Sequence, residues 1–262
     1  MAKIKQYVKR GLAQLCQNIW RYSAQPLPWL AGHLVVIAPH PDDEILACGG
    51  LIAMKQKLAE PVSIIYMTDG EASHPGCCAT DLVAAQRRWL SEMVMRELGV
   101  GPSALYRLGV SDGNIPAPNL QEGITIVTQL MELLMQLQPN CVLYPHPVDA
   151  HTDHRNTAGI VEATIDTMAC KDVLTMMYPV WSRYHMTPSD FPVWLRQRPV
   201  KLDIKDVSAL KTKLVYAYLQ PISPSCGLPW SGSLPQRFPD PFLIPYEWYF
   251  YRFIDDRKVI FS

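Results

Sequence analysis

Strand and helix signals alternate along this chain, and that alternation limits the fold more than any other feature. The run His33-Leu34-Val35-Val36-Ile37-Ala38 is short, apolar and β-branched and stops at Pro39, as a strand buried on both faces of a sheet does. Ile45 to Ala59 then reads as a helix, weakened at Gly49 and Gly50, where close approach of another segment is expected. Val62 to Thr68 is a second apolar strand closing on Asp69-Gly70, and Thr80 or Asp81 can cap a helix that runs to Leu98 and stops at Gly99. Ala104 to Leu108 is a weaker strand. Asn119 with Glu122 makes a capping-box-like start for a helix through Gln138; the strand Cys141 to Tyr144 and a helix beginning near His154 or Arg155 continue the series.

Strands separated by helices pair in parallel through right-handed crossovers, so the expected fold class is α/β: an open, mostly parallel Rossmann-like sheet with helices on both faces. From Pro179 onward the chain is rich in Pro, Trp and Tyr around one helix from Val207 to Leu219, and reads as a C-terminal extension shaping a pocket. Residues 31–262 are accordingly expected to form one domain. With 48% hydrophobic residues among 262, the chain can bury a core of that size.

Lys and Arg total 24 against 24 Asp and Glu, so no global field favours nucleic acid. The seven cysteines form no CxxC pair and lie in apolar segments, which suits reduced thiols and a cytoplasmic setting. No apolar h-region with a cleavage site follows the early Lys5, Lys9 and Arg10, and no run is long enough to span a bilayer. Residues 1–30 read as an amphipathic helical segment, with Ile4, Val8, Leu12 and Leu15 on one face. Packing on the domain is its first reading, and peripheral contact with a membrane surface the second.

Two motifs carry chemistry. Pro39-His40-Pro41-Asp42-Asp43-Glu44 follows the first strand, at the sheet edge where parallel folds present functional loops. Clustered carboxylates repel unless something cationic neutralises them, and a divalent metal would do so. A helix N-cap would explain one of these acids but not the His. Asp149-Ala150-His151-Thr152-Asp153-His154-Arg155-Asn156 follows the strand Cys141 to Tyr144 on the same rim. Its two imidazoles and intervening carboxylate could supply a metal ligand, an acid or electrophile and an orienting group.

These elements resemble the LmbE-like or PIG-L superfamily of N-acetylglucosaminyl deacetylases, whose signatures are an [AP]HPDD[ED] loop and a later HxDH element, here PHPDDE and HTDH. Thr68-Asp69-Gly70-Glu71 matches the family's TDGE element, Leu108 to Gly113 its leucine-rich strand end closing on Asp-Gly, and Asp203 to Gln220 its late helix with Lys and Tyr-x-Gln. The helix before Gly99 keeps Arg87 and Arg88, while Leu90 stands where members often carry Glu. The resemblance implies His40, Asp43 and His154 as metal ligands, Asp42 as general base, His151 as carbonyl polariser and Asp153 as the group that orients the His151 ring. It also implies substrate contacts at Arg87 and Asp112. The implied reaction is hydrolysis of the acetamide of an N-acetylated amino-sugar conjugate with Zn²⁺, or Fe²⁺, as cofactor.

Among the remaining residues, Trp230 in its Gly-Pro-rich loop is the aromatic chosen to stack on a sugar face. His146 reads as a wall residue, and His74 with Cys77 and Cys78 as loop packing rather than a second metal site. Two His and one carboxylate also describe the facial triad of non-haem Fe(II) oxygenases, and a non-catalytic glycan-binding relic is a third reading. The oxygenases usually use a β-barrel or jelly roll, which this alternation does not build.

Overall fold

The computed structural model describes residues 2–168, 173–221, 226–232, 234, 235 and 237–252, with backbone alone for residues 2 and 3. In chain order the elements are α1 (Ala2–Ser23), β1 (Gln25–Pro26), β2 (Leu34–Ala38), α2 (Asp43–Lys57), β3 (Val62–Tyr66), α3 (Thr80–Leu98), β4 (Leu105–Arg107), α4 (Gln121–Leu137), β5 (Cys141–Pro145), α5 (Thr152–Met168), β6 (Leu174–Tyr178), α6 (Trp181–Tyr184), α7 (Phe191–Arg196), β7 (Pro199–Asp203), α8 (Ser208–Tyr218) and β8 (Tyr246–Tyr251). The strands form one sheet in the order β1-β7-β8-β6-β5-β2-β3-β4.

The expected α/β class is what the chain adopts. β2 lies between β3 and β5, parallel to both, with Val35 opposite Ser63 on one side and Val142 on the other. Its continuous apolar sequence serves two cores: Leu34, Val36 and Ala38 belong to one cluster, Val35 and Ile37 to the other, as the two-residue period of a strand dictates. Helices α2, α3 and α8 pack together beside the first core, α4 and α5 beside the second.

At Gly50 the close approach expected from sequence is present: a Cβ there would fall 2.5 Å from Ile204 Cγ2. α3 ends at Gly99, whose φ of 97° puts it in the left-handed region. At the start of α4 the capping box does not form; Leu120 occupies the cap without a side-chain hydrogen bond.

The last third differs most from expectation. It shapes a pocket, but it also lengthens the sheet, because β8 pairs antiparallel with both β6 and β7. Trp248, Tyr249 and Phe250 of β8 are buried and feed both cores. The thiol reading is corrected at one place: Cys77 and Cys226 form a disulfide across 149 residues of sequence, while Cys16, Cys48, Cys78 and Cys141 are free. Spacing rules that look for nearby pairs have no access to a link of that length. Cys170 lies outside the described residues.

α1 packs through Ala13, Cys16 and Trp20. Among the described residues no helix is long and apolar enough to cross a membrane.

Candidate active site

The first motif occupies the turn between β2 and α2. Asp42 takes φ 148° and ψ −28°, a conformation that L residues rarely adopt and that costs of order 1–3 kcal/mol. Its surroundings hold it there. The Asp42 amide donates to Glu44 Oε2 at 2.9 Å, and Glu44 is fixed in turn by the Tyr218 hydroxyl on its Oε1, also at 2.9 Å. Arg87 is buried; it donates through Nη2 to the Pro41 carbonyl at 2.6 Å and through Nη1 to the Trp230 carbonyl at 2.9 Å. Gly70 makes room for that guanidinium, because with φ 71° and a Cβ it would meet Arg87 Nε at 2.3 Å. The Thr68 hydroxyl bonds the Pro39 carbonyl at 2.9 Å and ties the end of β3 to the motif.

The second motif lies on the same rim. Asp149 accepts from the backbone amides of Val180, Trp181 and Ser182, at 3.3, 3.1 and 2.7 Å, at the start of α6. It also takes His154 Nδ1 at 2.8 Å. His154 Nε2 is thereby turned toward Asp43 Oδ2, 3.3 Å away, and Asp43 Oδ2 is 3.3 Å from His40 Nδ1 and 3.0 Å from the His40 amide. One ligand atom from each of His40, Asp43 and His154 lies within 4.8 Å of the others.

A divalent metal fits these residues. His154 Nε2 is buried without a hydrogen-bond partner, while its other nitrogen is engaged by a carboxylate, the arrangement that leaves a lone pair for a metal. Burial alone would lower the His154 pKa, but Asp43 and Asp149 outweigh it and hold the ring at about 9. Burial likewise lowers His40, and Asp112, Asp153 and Asp43 raise it well above its ordinary value. Asp43, which burial would raise, is held far below the usual carboxylate range by His154 and His40. The pocket therefore selects positive charge at its centre, as bound protons or as a cation.

Asp42 and His151 flank that centre with different properties. Burial pushes the Asp42 carboxyl up to about 6, against the opposing pull of Arg87, whose Nη2 is 3.6 Å away, and a further push from Asp43. Burial lowers His151 to about 4, helped by His154 and His40, so its ring is neutral at pH 7. His151 stacks on Trp181 at 5.7 Å between centroids, and its Nδ1 is buried without a partner.

His40, Asp42, Asp43, Arg87, Asp112 and His151 all border one cavity of about 400 Å³, walled also by Trp181, Ser231 and Phe238. The expected residues Asp153, His154 and Trp230 do not border it. Asp153 Oδ2 meets His40 Nε2 at 3.1 Å and the Gly113 amide at 2.8 Å, so its bonded ring is His40 rather than His151. Asp112 Oδ1 is also 3.1 Å from His40 Nε2, and the element Glu71-Ala72 holds Asp112 through two hydrogen bonds, one at its amide and one at its carboxylate. The Trp230 ring lies beside Trp89, 6.1 Å between centroids, and does not border the cavity; only its carbonyl reaches the site, through Arg87. Trp181 is the aromatic wall that sequence reasoning missed.

The description "PIG-L: GlcNAc-PI de-N-acetylase" belongs to the family model that matches residues 35–165, half of the chain, including both motifs. Solved structures share the fold. The N,N'-diacetylchitobiose deacetylase of Pyrococcus horikoshii is 23% identical, with 71% of this chain and 68% of that chain covered and a TM-score of 0.57. The 4-carboxy-2-hydroxymuconate hydratase of Pseudomonas putida is 13% identical, with 88% and 100% covered and a TM-score of 0.63. A deacetylase of the antibiotic A40926 pseudoaglycone is 16% identical, with 70% and 79% covered and a TM-score of 0.54. At these identities the likeness is one of fold, and a fold does not fix an activity. With its PHPDDE and HTDH motifs inside the matched segment, the chain belongs to the PIG-L family, described as GlcNAc-PI de-N-acetylase.

Proposed function

We propose that the chain is a metal-dependent N-deacetylase that hydrolyses the acetamide of an N-acetylglucosamine-containing conjugate, with Zn²⁺, or alternatively Fe²⁺, held by His40, Asp43 and His154. The observation that carries this reading is the placement of Asp42, buried with a carboxyl near 6, beside that ligand set and on the wall of the same cavity. When bound, such a metal polarises a carbonyl oxygen and lowers the pKa of water toward roughly 7.

The chain's own groups divide the remaining work. Asp42 takes a proton from water and returns it to the departing amine, a task suited to a carboxyl whose pKa lies near neutrality. Arg87 and Ser231 keep its carboxylate aimed into the cavity. His151, neutral and stacked on Trp181, donates to the acetamide oxygen as negative charge builds there. Loss of one such donor typically costs roughly 3 kcal/mol of transition-state stabilisation. Asp149 orients His154, and Asp153 and Asp112 orient His40. Acetate and a free amine are the products.

The test is acetate release from a panel of N-acetylglucosamine conjugates, with and without chelator. Release that stops on chelation and returns with Zn²⁺ or Fe²⁺ supports the reading. Oxygen consumption, or addition of water to a double bond without acetate, would replace it with an oxygenase or a hydratase.

A further inference from the structure

A second cavity of about 280 Å³ lies between α1 and the segment that leads into β8. Four arginines border it, Arg10 and Arg21 from α1, Arg183 from α6 and Arg237, against a single carboxylate, Asp240. That carboxylate is engaged by Arg237 at 2.7 Å. Among the described residues no carboxylate lies within ion-pair distance of Arg10, Arg21 or Arg183.

Arg183 is the informative member. It is 2% exposed, its Nη2 donates to the Pro241 carbonyl, its guanidinium stands 4.6 Å over the Phe242 ring, and its Nε has no partner. The carboxylate whose charge acts on it, Glu247, is bonded to Lys211 and to the Gly50 and Leu51 amides, and a buried cation that shares its counter-charge in this way is stabilised when a further anion joins it. Trp248, on the same cavity wall, carries a second buried donor without a partner, Nε1. The site is thus rich in donors and in positive charge, and its one acid is already spent on Arg237.

We propose that this cavity binds a phosphoryl group, as a phosphomonoester or phosphodiester, through Arg10, Arg21 and Arg183. Guanidinium groups match the oxygens of a phosphate in bidentate fashion, and Arg is the residue best suited to partly buried anion recognition. The site is distinct from the deacetylase pocket, yet α6 joins the two: Trp181 borders one cavity and Arg183 the other. Two sources present this chemistry. On α1, Ile4, Tyr7, Val8, Leu15, Ile19 and Tyr22 are exposed on the face opposite Ala13, Cys16 and Trp20, and Arg10 and Arg21 flank that apolar strip, so a lipid headgroup is one source. A soluble phosphate ester is the other.

Inorganic phosphate titrated into the whole 262-residue chain by calorimetry tests the site, with chloride at equal ionic strength as control. Saturable 1:1 binding, weakened at least tenfold in Arg10→Gln/Arg21→Gln, is expected; circular dichroism and the melting temperature without phosphate verify that this variant is folded. Vesicles of phosphatidylcholine with phosphatidic acid then identify the source. Capture by the wild type that is lost in the variant assigns the phosphoryl group to a lipid, and phosphate binding without capture assigns it to a soluble molecule. Absence of saturable phosphate binding, or equal affinity in the wild type and the variant, overturns the proposal. Because the readout is binding, its failure leaves the deacetylase reading standing, and the reverse also holds.

Discussion

Asp149 does not border the active-site cavity, yet one of its oxygens sets the tautomer of His154 while its carboxylate collects three backbone amides of the β6–α6 turn. Asp149→Asn would place an NH₂ group against donors and remove the charge behind the ligand. The expected result is a roughly 10- to 100-fold loss of metal affinity, read by competition with a chelating dye. Asp42 and Asp43 are adjacent in sequence but differ in surroundings, so one carboxyl rises to about 6 while the other is held well below the usual range. His40, Asp43 and His154 were legible because each sits in a polar motif directly after an apolar strand. Trp181 was not, because its role depends on α6 being drawn against Asp149, a contact spanning 32 residues of sequence. Spacing alone pairs Asp153 with His151; the structure bonds its Oδ2 to His40 Nε2, while His151, in the loop before α5, stays in the same cluster of atoms within 4.8 Å.

At the scale of elements, α2 is held by a buried ionic contact that the motifs do not announce. Glu247 of β8 accepts from the Gly50 and Leu51 amides at 2.7 and 2.9 Å, from the Tyr249 hydroxyl at 2.7 Å and from Lys211 of α8 at 2.7 Å. Lys211 and Glu247 are essentially inaccessible to water. Lys211→Met would leave the carboxylate buried without its cation, and a loss of about 3–5 kcal/mol in urea unfolding is expected. The Lys of the late helix thus has a structural place, and Tyr218 on the same helix reaches Glu44. Parallel strands β2, β3 and β5 were readable because burial on both faces makes them continuous apolar runs. β8 was not: its pairing is antiparallel, and a sequence of aromatic residues among prolines looks the same in a packed loop as in a strand.

Across the whole molecule, stability should depend on pH in part through His146, a histidine that does not border the cavity. His146 is 1% exposed, and burial lowers its pKa to about 4, while an unfolded chain titrates near 6.5. Above pH 6.5 both states are neutral and its full contribution is present. As pH falls from 6.5 toward 4 the unfolded state takes up the proton first, so stability drops by up to about 3 kcal/mol. Asp42 and His151 titrate in the same window, so the His146 contribution is read as the stability difference between wild type and His146→Asn, whose amide oxygen can still accept from the Val148 amide; that difference should shrink as pH falls from 6.5 toward 4. A difference between wild type and variant that does not change over this range would show that the ring is not held neutral.

The proposed division of labour between the ligands His40, Asp43 and His154 and the base Asp42 is tested directly by Asp42→Asn. Metal content and acetate release would be measured on the same sample of wild type and variant, with an N-acetylglucosamine conjugate that the wild type turns over. One metal per chain in both proteins, with acetate from the wild type alone, is the expected result. Acetate release by the variant at a comparable rate, or loss of metal together with activity, would contradict it.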